Sequence, residues 1–189
     1  MAIECEKKYR VYGLKETDMP KALSKRNLEQ FYLDKENPKL KDFVCYIFDL
    51  KKEKLENISE ARVRVVNGER FLLTIKSGGD MKREEYETEI TFLGEDLIRD
   101  YAISKISKTR YDCPSVSSYN TIEIDFYNDR DMVVAEMEFD PYELDELEVD
   151  KQVRDTLKML GAVMVTDVTT DKSYKNANLA IPFAQQESE

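Results

Sequence analysis

The chain has 189 residues, of which 36% are charged, and it carries a net charge of −10 with no histidine. This negative balance disfavours nucleic acid as a partner, because phosphate backbones attract a positive surface. The absence of histidine excludes imidazole-based zinc sites and histidine general bases. We therefore expect any metal ion to be a hard cation held by carboxylates, Mg²⁺ or Mn²⁺.

The cysteines and the start of the chain bear on its compartment. Cys5, Cys45 and Cys113 are scattered and lack the spacing of a metal site, which is typical of reduced cytosolic thiols. The chain begins directly with a charged stretch, and its apolar runs are too short to span a bilayer. We expect a cytoplasmic protein with no signal peptide and no membrane partner.

The first predicted strand, residues 3–11, places charges on one side. Side chains of a strand alternate between its faces, so Glu4, Glu6 and Lys8 share one face and Tyr9 lies on the other. Two carboxylates and an ammonium in a row are also found on solvated edge strands. The pattern is more informative than that of a single edge strand, because later strands repeat it.

The next stretch is predicted to contain one helix and two strands. A capping residue followed by Pro20 predicts a short helix over residues 18–28. A strand is predicted over residues 30–33, and the aromatic and β-branched run Phe43 to Leu50 predicts another. The second strand makes residues 34–59 an inserted hairpin followed by a charged segment.

From residue 61 the alternation predicts an antiparallel meander. Strands over residues 61–66 and 70–76 are joined by Asn67-Gly68, a strong hairpin-turn signal, and a strand over residues 82–91 follows. Their polar positions fall on one face of each strand: Arg62 and Arg64, Thr74 and Lys76, Glu85 and Glu87.

The second half combines two helices with further strands. Helices are predicted over residues 94–103 and 150–160, and strands over residues 106–111, 119–127, 132–139 and 162–169. Charged pairs again occupy one face of three of these strands: Lys108 and Arg110, Glu123 and Asp125, Glu136 and Glu138.

Charges on one face and apolar residues on the other predict a sheet that buries its apolar face under helices. If the sheet closed into a barrel, the charged faces would line the lumen. Unpaired buried charges cost several kcal/mol each, so such a lumen implies water, internal ion pairs or a highly charged ligand. A polyphosphate with a divalent cation satisfies both signs of charge. The periodicity alone leaves open an ordinary β-sandwich with salt-bridged outer faces.

The ordered series of charged pairs resembles the CYTH domain of the triphosphate tunnel metalloenzyme superfamily over nearly the whole chain. The motif E-x-E-x-K stands at Glu4–Lys8, and R-x-R, T-x-K, K-x-R, E-x-D, E-x-E and the tail Tyr174-Lys175-Asn176 follow in order. The resemblance implies an α+β fold, an eight-stranded antiparallel β-barrel or tunnel with a charged polar lumen and flanking helices. It implies one domain over residues 1–182, with the insert at 34–59 and a flexible tail at 183–189.

The resemblance also implies roles for individual residues. Catalysis would involve Glu4, Glu6 and Lys8. Phosphates would be bound by Lys8, Arg62, Arg64, Lys76, Lys108, Arg110 and Lys175, with Lys172 or Lys175 closing one tunnel mouth. Mg²⁺ or Mn²⁺ would be held by carboxylates chosen from Glu4, Glu6, Glu136, Glu138, Glu85, Glu87, Glu123 and Asp125.

The function implied first is metal-dependent hydrolysis of a triphosphate, with inorganic triphosphate as the leading substrate and pyrophosphate and phosphate as products. Three alternatives stay open: a class IV-like adenylate cyclase, a thiamine triphosphatase, and a non-catalytic polyphosphate- or nucleotide-binding module. The partner expected in each case is a small molecule that contains a triphosphate. The aromatic insert is compatible with a homodimer.

Overall fold

The computed structural model describes residues 5–78, 83–116 and 120–183. The strands are β1 Cys5–Tyr12, β2 Ser24–Leu33, β3 Ile58–Val66, β4 Arg70–Gly78, β5 Arg83–Glu89, β6 Ala102–Pro114, β7 Thr121–Tyr127, β8 Val133–Phe139, β9 Met164–Asp167 and β10 Ile181–Pro182. The α-helices are α1 Pro38–Phe48, α2 Gly94–Tyr101, α3 Glu146–Met159 and α4 Asn176–Leu179. Short 3₁₀ turns lie at Glu16–Asp18, Lys52–Leu55 and Lys172–Tyr174.

Eight of these strands have seven residues or more, and their pairing is antiparallel. These elements confirm the predicted α+β class with eight principal antiparallel strands and flanking helices. Within the part of the chain that the structure describes, no helix is long and apolar enough to cross a membrane.

The chain divides into two compact units, each built from separate stretches. Among the described residues, unit 1 comprises residues 28–106 and 176–183, and unit 2 comprises residues 5–27 and 107–175. The single domain implied by the sequence stays a prediction.

In unit 1, the strands follow the order β5-β4-β3-β2. One face is apolar, and helix α1 contributes Leu40 and Val44 to the same core as Val63 and Leu73. The β3–β4 hairpin turns as predicted at Asn67-Gly68, whose φ angles of 53° and 76° lie in the left-handed region that such a turn requires.

In unit 2, the strands follow the order β6-β7-β8-β1-β9. Helix α3 covers their apolar face with Val149, Val153 and Leu157, which pack in one core cluster with Tyr9 and Ile124. All five side chains are fully buried. Their burial positions β1, whose other face carries charged residues.

Two predicted elements were wrong. The helix over residues 18–28 is absent: the chain makes one 3₁₀ turn at Glu16–Asp18, and strand β2 begins at Ser24. The apolar stripe proposed for that helix was short. Leu28 is instead buried in the sheet, where it pairs with Val66 of β3.

The strand and hairpin predicted at Phe43 to Leu50 are part of helix α1. The side chain of Asn37 accepts a hydrogen bond from the backbone N–H of Lys39 at 3.0 Å, and Pro38 is the first helical residue. Leu40 and Val44 lie four residues apart and form a buried stripe. The helix-start signals therefore outweighed the β-propensity of the aromatic residues.

The end of unit 1 also differs from the prediction. Phe183, which was assigned to the flexible tail, packs edge-to-face against Phe31 with ring centroids 5.3 Å apart. Its backbone N–H donates to the carbonyl of Ile103 at 2.9 Å. Phe183 thus packs on the sheet of unit 1, and residues 184–189 lie outside the described residues.

Candidate functional site

The polar face of unit 2 is built by the register of four strands. Lys8 of β1 lies opposite Glu136 of β8, and Glu136 lies opposite Glu123 of β7. Arg110 of β6 lies opposite Asp125 of β7. Directly opposite residues in antiparallel strands point to the same side, so the sheet brings these charges together.

Arg110 lies at the centre of this face. Its Nε and Nη2 donate to the two carboxylate oxygens of Asp125 at 2.6 and 2.7 Å, and Nη2 also donates to Glu136 at 3.0 Å. Its Nη1 contacts Glu123. Burial acts to lower the pKa of Arg110, but the three carboxylates together raise it well above its usual value. One guanidinium group therefore contacts three carboxylates, which come from strands β7 and β8.

Lys8 and Glu136 form a second buried pair. The Nζ of Lys8 lies 2.8 Å from Glu136 and 3.2 Å from Glu6. Burial would raise the pKa of Glu136, but the charges of Lys8, Lys108 and Arg110 lower it below its usual range. Conversely, burial would lower the pKa of Lys8, but Glu136 and Glu6 raise it. Both groups are therefore ionised at neutral pH.

Lys108 and Asp125 lie deepest, because neither side chain is exposed to solvent. Their charged ends contact each other, and Asp125 also accepts both hydrogen bonds from Arg110. Burial would raise the pKa of Asp125, but Lys108 and Arg110 lower it. The two carboxylate oxygens of Asp125 are thus occupied by cations of the protein.

Carboxylates outnumber cations on the polar face of unit 2. The described cations are Lys8, Arg10, Arg26, Lys108 and Arg110, and the described carboxylates are Glu6, Asp112, Glu123, Asp125, Glu136 and Glu138. The excess corresponds to one negative charge, and the oxygen donors suit Mg²⁺ or Mn²⁺. No group of three acidic or cysteine side chains within the described ranges is arranged to hold a metal ion.

The polar face of unit 1 is balanced in charge. Lys76 lies 2.7 Å from Glu85 across the β4–β5 pair, and the hydroxyl of Thr74 donates to Glu87 at 2.8 Å. On β3, Arg62 lies 3.1 Å from Glu60. These contacts place the predicted β3, β4 and β5 residues together, and Arg64 lies two positions beyond Arg62 on β3.

Arg62 has an unsatisfied donor. Its side chain is 8% exposed, and its Nε is buried without a hydrogen-bond partner among the described residues. Burial acts to lower the pKa of Arg62, but Glu60 and its other acidic neighbours raise it. A buried donor left without an acceptor costs about 1–3 kcal/mol, which a bound anion would relieve.

Glu4 and Lys175 are the remaining predicted site residues. Glu4 lies outside the described residues. Lys175 follows the 3₁₀ turn at Lys172–Tyr174, where its backbone N–H donates to the carbonyl of Lys172. The roles predicted for both remain predictions.

The sequence analysis missed several charged residues of the two faces, among them Glu60, Asp112 and Arg26. Glu60 lies just before the strand predicted over residues 61–66, although it continues the two-residue period of the R-x-R strand. Asp112 likewise continues the period of Lys108 and Arg110. Arg26 was hidden by the predicted helix and could be found only once that segment was recognised as a strand.

No protein-family model matches the sequence, and no curated protein matches it. Among solved structures, the hypothetical protein NE1496 is 24% identical, with a TM-score of 0.52 over 94% of this chain and 97% of that chain. The PH1819 protein from Pyrococcus horikoshii is 17% identical, with a TM-score of 0.50 over 93% of this chain and 98% of that chain. A Bacillus halodurans protein described provisionally as an adenylate cyclase is 14% identical, with a TM-score of 0.47 over 84% of this chain and 89% of that chain.

The first two likenesses show that this chain shares its fold with them over nearly its full described length. The charged pairs that resemble the CYTH motifs occupy the strands of that fold, on one polar face in each unit. The chain therefore shares the fold of these two proteins and carries on it the ordered charged pairs that resemble the CYTH motifs.

Proposed function

We propose that the chain is a divalent-metal-dependent triphosphatase that hydrolyses inorganic triphosphate to pyrophosphate and phosphate. One observation carries the proposal: on the polar face of unit 2, nearly buried cations are interleaved with an excess of carboxylates. A triphosphate would be bound by the cations, and the excess carboxylates would bind the metal ion that accompanies it.

Stability alone does not account for this arrangement. Replacing a buried ion pair by packed apolar side chains is often neutral or stabilising, so a buried charged network is weak evidence for a structural role. Here several such pairs converge on Arg110 and Glu136. Their convergence supports a binding role for a charged ligand.

In this proposal Lys8 and Arg110 bind phosphate oxygens of the substrate. Glu6, which is 42% exposed, accepts a hydrogen bond from the attacking water and orients it toward phosphorus. Glu6 and Glu138 lie opposite each other across the β1–β8 pair and would hold the divalent ion, with its other ligands supplied by substrate oxygens and water. When bound, such an ion supplies positive charge that offsets the charge developing on the departing phosphate.

On the polar face of unit 1, we propose that Arg62, Arg64 and Lys76 also bind phosphate oxygens. The unsatisfied Nε of Arg62 supports this assignment, because a phosphate oxygen is the acceptor that a guanidinium binds best. Glu85 and Glu87 hold Lys76 and Thr74 in place in the absence of substrate.

The test is phosphate release from inorganic triphosphate by the purified chain with Mg²⁺, with Mn²⁺ and with EDTA. ATP and thiamine triphosphate are run alongside, and their products are separated. We expect metal-dependent cleavage of inorganic triphosphate well above the other two, and its loss in Arg110→Gln. Arg130→Gln is the matched control, since Arg130 lies outside the polar face and pairs with its neighbour Asp129.

Other outcomes would contradict the proposal. Conversion of ATP to cyclic AMP and pyrophosphate, without cleavage of inorganic triphosphate, would assign a class IV-like cyclase. Preferential cleavage of thiamine triphosphate would assign that substrate instead. No turnover of any of the three, with tight triphosphate binding by calorimetry, would leave a binding module.

A further inference from the structure

Arg26 of strand β2 belongs to the polar face of unit 2. Its Nη2 contacts Asp112 of β6 and lies 3.6 Å from Glu123 of β7. Glu123 also contacts Arg110, so one carboxylate connects the two guanidinium groups. Arg26 therefore extends the charged network of Arg110 and is not a separate surface pair.

The register places Arg26 toward one end of this network. Lys108, Arg110 and Asp112 alternate along β6, and residues two apart on a strand are about 7 Å apart. Arg26 contacts Asp112, which is one such step beyond Arg110. Its side chain is 34% exposed, whereas that of Arg110 is 6% exposed. Solvent and ligand can thus reach Arg26 directly.

The two arginines differ in how many donors are occupied. Arg110 uses all three of its guanidinium nitrogens on carboxylates. Arg26 uses only Nη2 within the part of the chain that the structure describes, and its Nε is buried without a hydrogen-bond partner. Arg26 consequently keeps more of its guanidinium N–H groups available for an anion than Arg110 does.

A cavity lies next to a carboxylate that Arg26 approaches. The cavity, of about 240 Å³, is lined by Thr121, Glu123 and Glu138, and Glu123 lies 3.6 Å from Arg26. Asp112 and Glu123 lie directly opposite each other across the β6–β7 pair. Like charges in that position repel, and the guanidinium of Arg26 holds them together.

We infer that Arg26 is the residue that selects inorganic triphosphate over nucleoside triphosphates. This inference rests on the proposed function. Both end phosphates of inorganic triphosphate are unesterified, whereas one end of a nucleoside triphosphate is an ester with one fewer charged oxygen. A guanidinium at the accessible end of the site binds an unesterified phosphate with two parallel hydrogen bonds. The esterified phosphate of a nucleotide offers that contact less well.

The test compares Arg26→Gln with the wild type in two measurements: kcat and KM for inorganic triphosphate, and the inhibition constant of ATP as a competitor. We expect KM for triphosphate to rise about tenfold, because one charge-assisted contact is lost, while kcat changes little. The inhibition constant of ATP should stay within about twofold, since its contact with Arg26 is the weaker one.

Asp112→Asn is the second variant, and Arg130→Gln is the control. Asp112→Asn frees Arg26 from its carboxylate, so KM for triphosphate should stay equal or fall. A purely structural role for the Arg26–Asp112 pair predicts instead that Asp112→Asn and Arg26→Gln weaken triphosphate and ATP alike, and that result would overturn the inference. An unchanged KM in Arg26→Gln would overturn it as well. Thermal unfolding of each variant identifies any that fails to fold, and Arg26→Lys then replaces Arg26→Gln.

If the triphosphatase proposal is wrong, the measurements differ from those expected if only the inference on Arg26 is wrong. A wild-type protein that does not cleave triphosphate refutes the triphosphatase proposal without reference to Arg26. Calorimetric binding of triphosphate and ATP to the same variants then tests the selection directly. A dissociation constant for triphosphate that rises about tenfold in Arg26→Gln, with that of ATP unchanged, supports it, and equal changes refute it.

Discussion

At Arg110, planar geometry matters as much as charge. The guanidinium binds Asp125 with two parallel hydrogen bonds while it also contacts Glu136 and Glu123. A lysine carries the same charge on a single nitrogen and cannot reproduce the fork. The chemistry of this residue therefore depends on its shape.

We predict that Arg110→Lys lowers kcat/KM for triphosphate by about 100-fold, the magnitude seen when one preorganised donor of a transition state is removed. The conservative change Arg130→Lys, outside the polar face, should leave kcat/KM unchanged, because Arg130 lies in the turn between β7 and β8 and pairs with Asp129. Steady-state kinetics on both variants measure this. Activity of Arg110→Lys within threefold of wild type would contradict the assignment.

Glu136 connects the polar face to the pH dependence of stability. Its pKa is lowered in the folded protein by Lys8, Lys108 and Arg110, so the folded state releases its proton more readily than the unfolded state does. The resulting stabilisation is fully present above the unfolded pKa, near 4.3 for a glutamate, and is lost as pH falls below it.

We therefore predict that Glu136→Gln lowers the free energy of unfolding at pH 7 by about 3–5 kcal/mol, because two buried cations lose a partner. The difference from wild type should narrow as pH falls from about 5 to 3, since the wild type loses its ionised-carboxylate advantage there. Urea unfolding at a series of pH values measures it, with the exposed Glu143→Gln as control. A difference that stays constant with pH would show that Glu136 is not the titrating group.

At the scale of elements, helix α1 shows where local sequence signals decide a structure. Asn37 and Pro38 define its first turn, and the residues behind them are aromatic and β-branched enough to predict a strand. The buried positions Leu40 and Val44 recur at the helical spacing of four. Reading the start signal together with the spacing would have identified the helix, whereas composition alone did not.

We predict that Asn37→Ala lowers the free energy of unfolding by about 1 kcal/mol, because the backbone N–H of Lys39 loses its side-chain acceptor. Asn37→Asp should retain wild-type stability, since aspartate caps helices as well as asparagine. Both variants should keep wild-type kcat/KM below their melting temperatures. Equal destabilisation by alanine and aspartate in urea unfolding would rule out the capping role.

Strand β2 shows the opposite case, in which local sequence signals do not decide the structure. Residues 18–28 carry a capping residue, a proline and a few apolar side chains, and these local signals predict a helix. The outcome depends on a partner distant in sequence, because Leu28 pairs with Val66. The period-two placement of the other charged pairs could be predicted because each pattern is local to its own strand. The place of Arg26 on the polar face could not be predicted, because its strand is specified by that distant pairing.

At the scale of the whole molecule, the polar face of unit 2 contributes an excess of carboxylates to the net charge of −10. The excess of carboxylates there is unfavourable until a cation joins them. The sequence could predict which side chains share a face, but the pairing of each carboxylate with a cation emerges only from the register between strands.

We predict that Mg²⁺ or Mn²⁺ at about 100 times its dissociation constant stabilises the folded protein by about 2.7 kcal/mol, because the ion binds only the folded state. Thermal unfolding with each ion, with EDTA and with NaCl of equal ionic strength measures the shift. Glu138→Gln should reduce it, whereas Glu143→Gln, in an exposed segment, should not. Equal shifts in both variants would show that the ion binds elsewhere.

The convergence of Asp125, Glu136 and Glu123 on Arg110 also limits how this protein can change during evolution. Loss of the arginine alone removes a cationic partner from three carboxylates, whereas prior loss of one carboxylate makes the later loss of the arginine less costly. Substitutions among such contacting residues are not additive, so their order determines which combinations fold. Descendants that abandon this chemistry should therefore neutralise the carboxylates before the arginine, and the four positions should vary together.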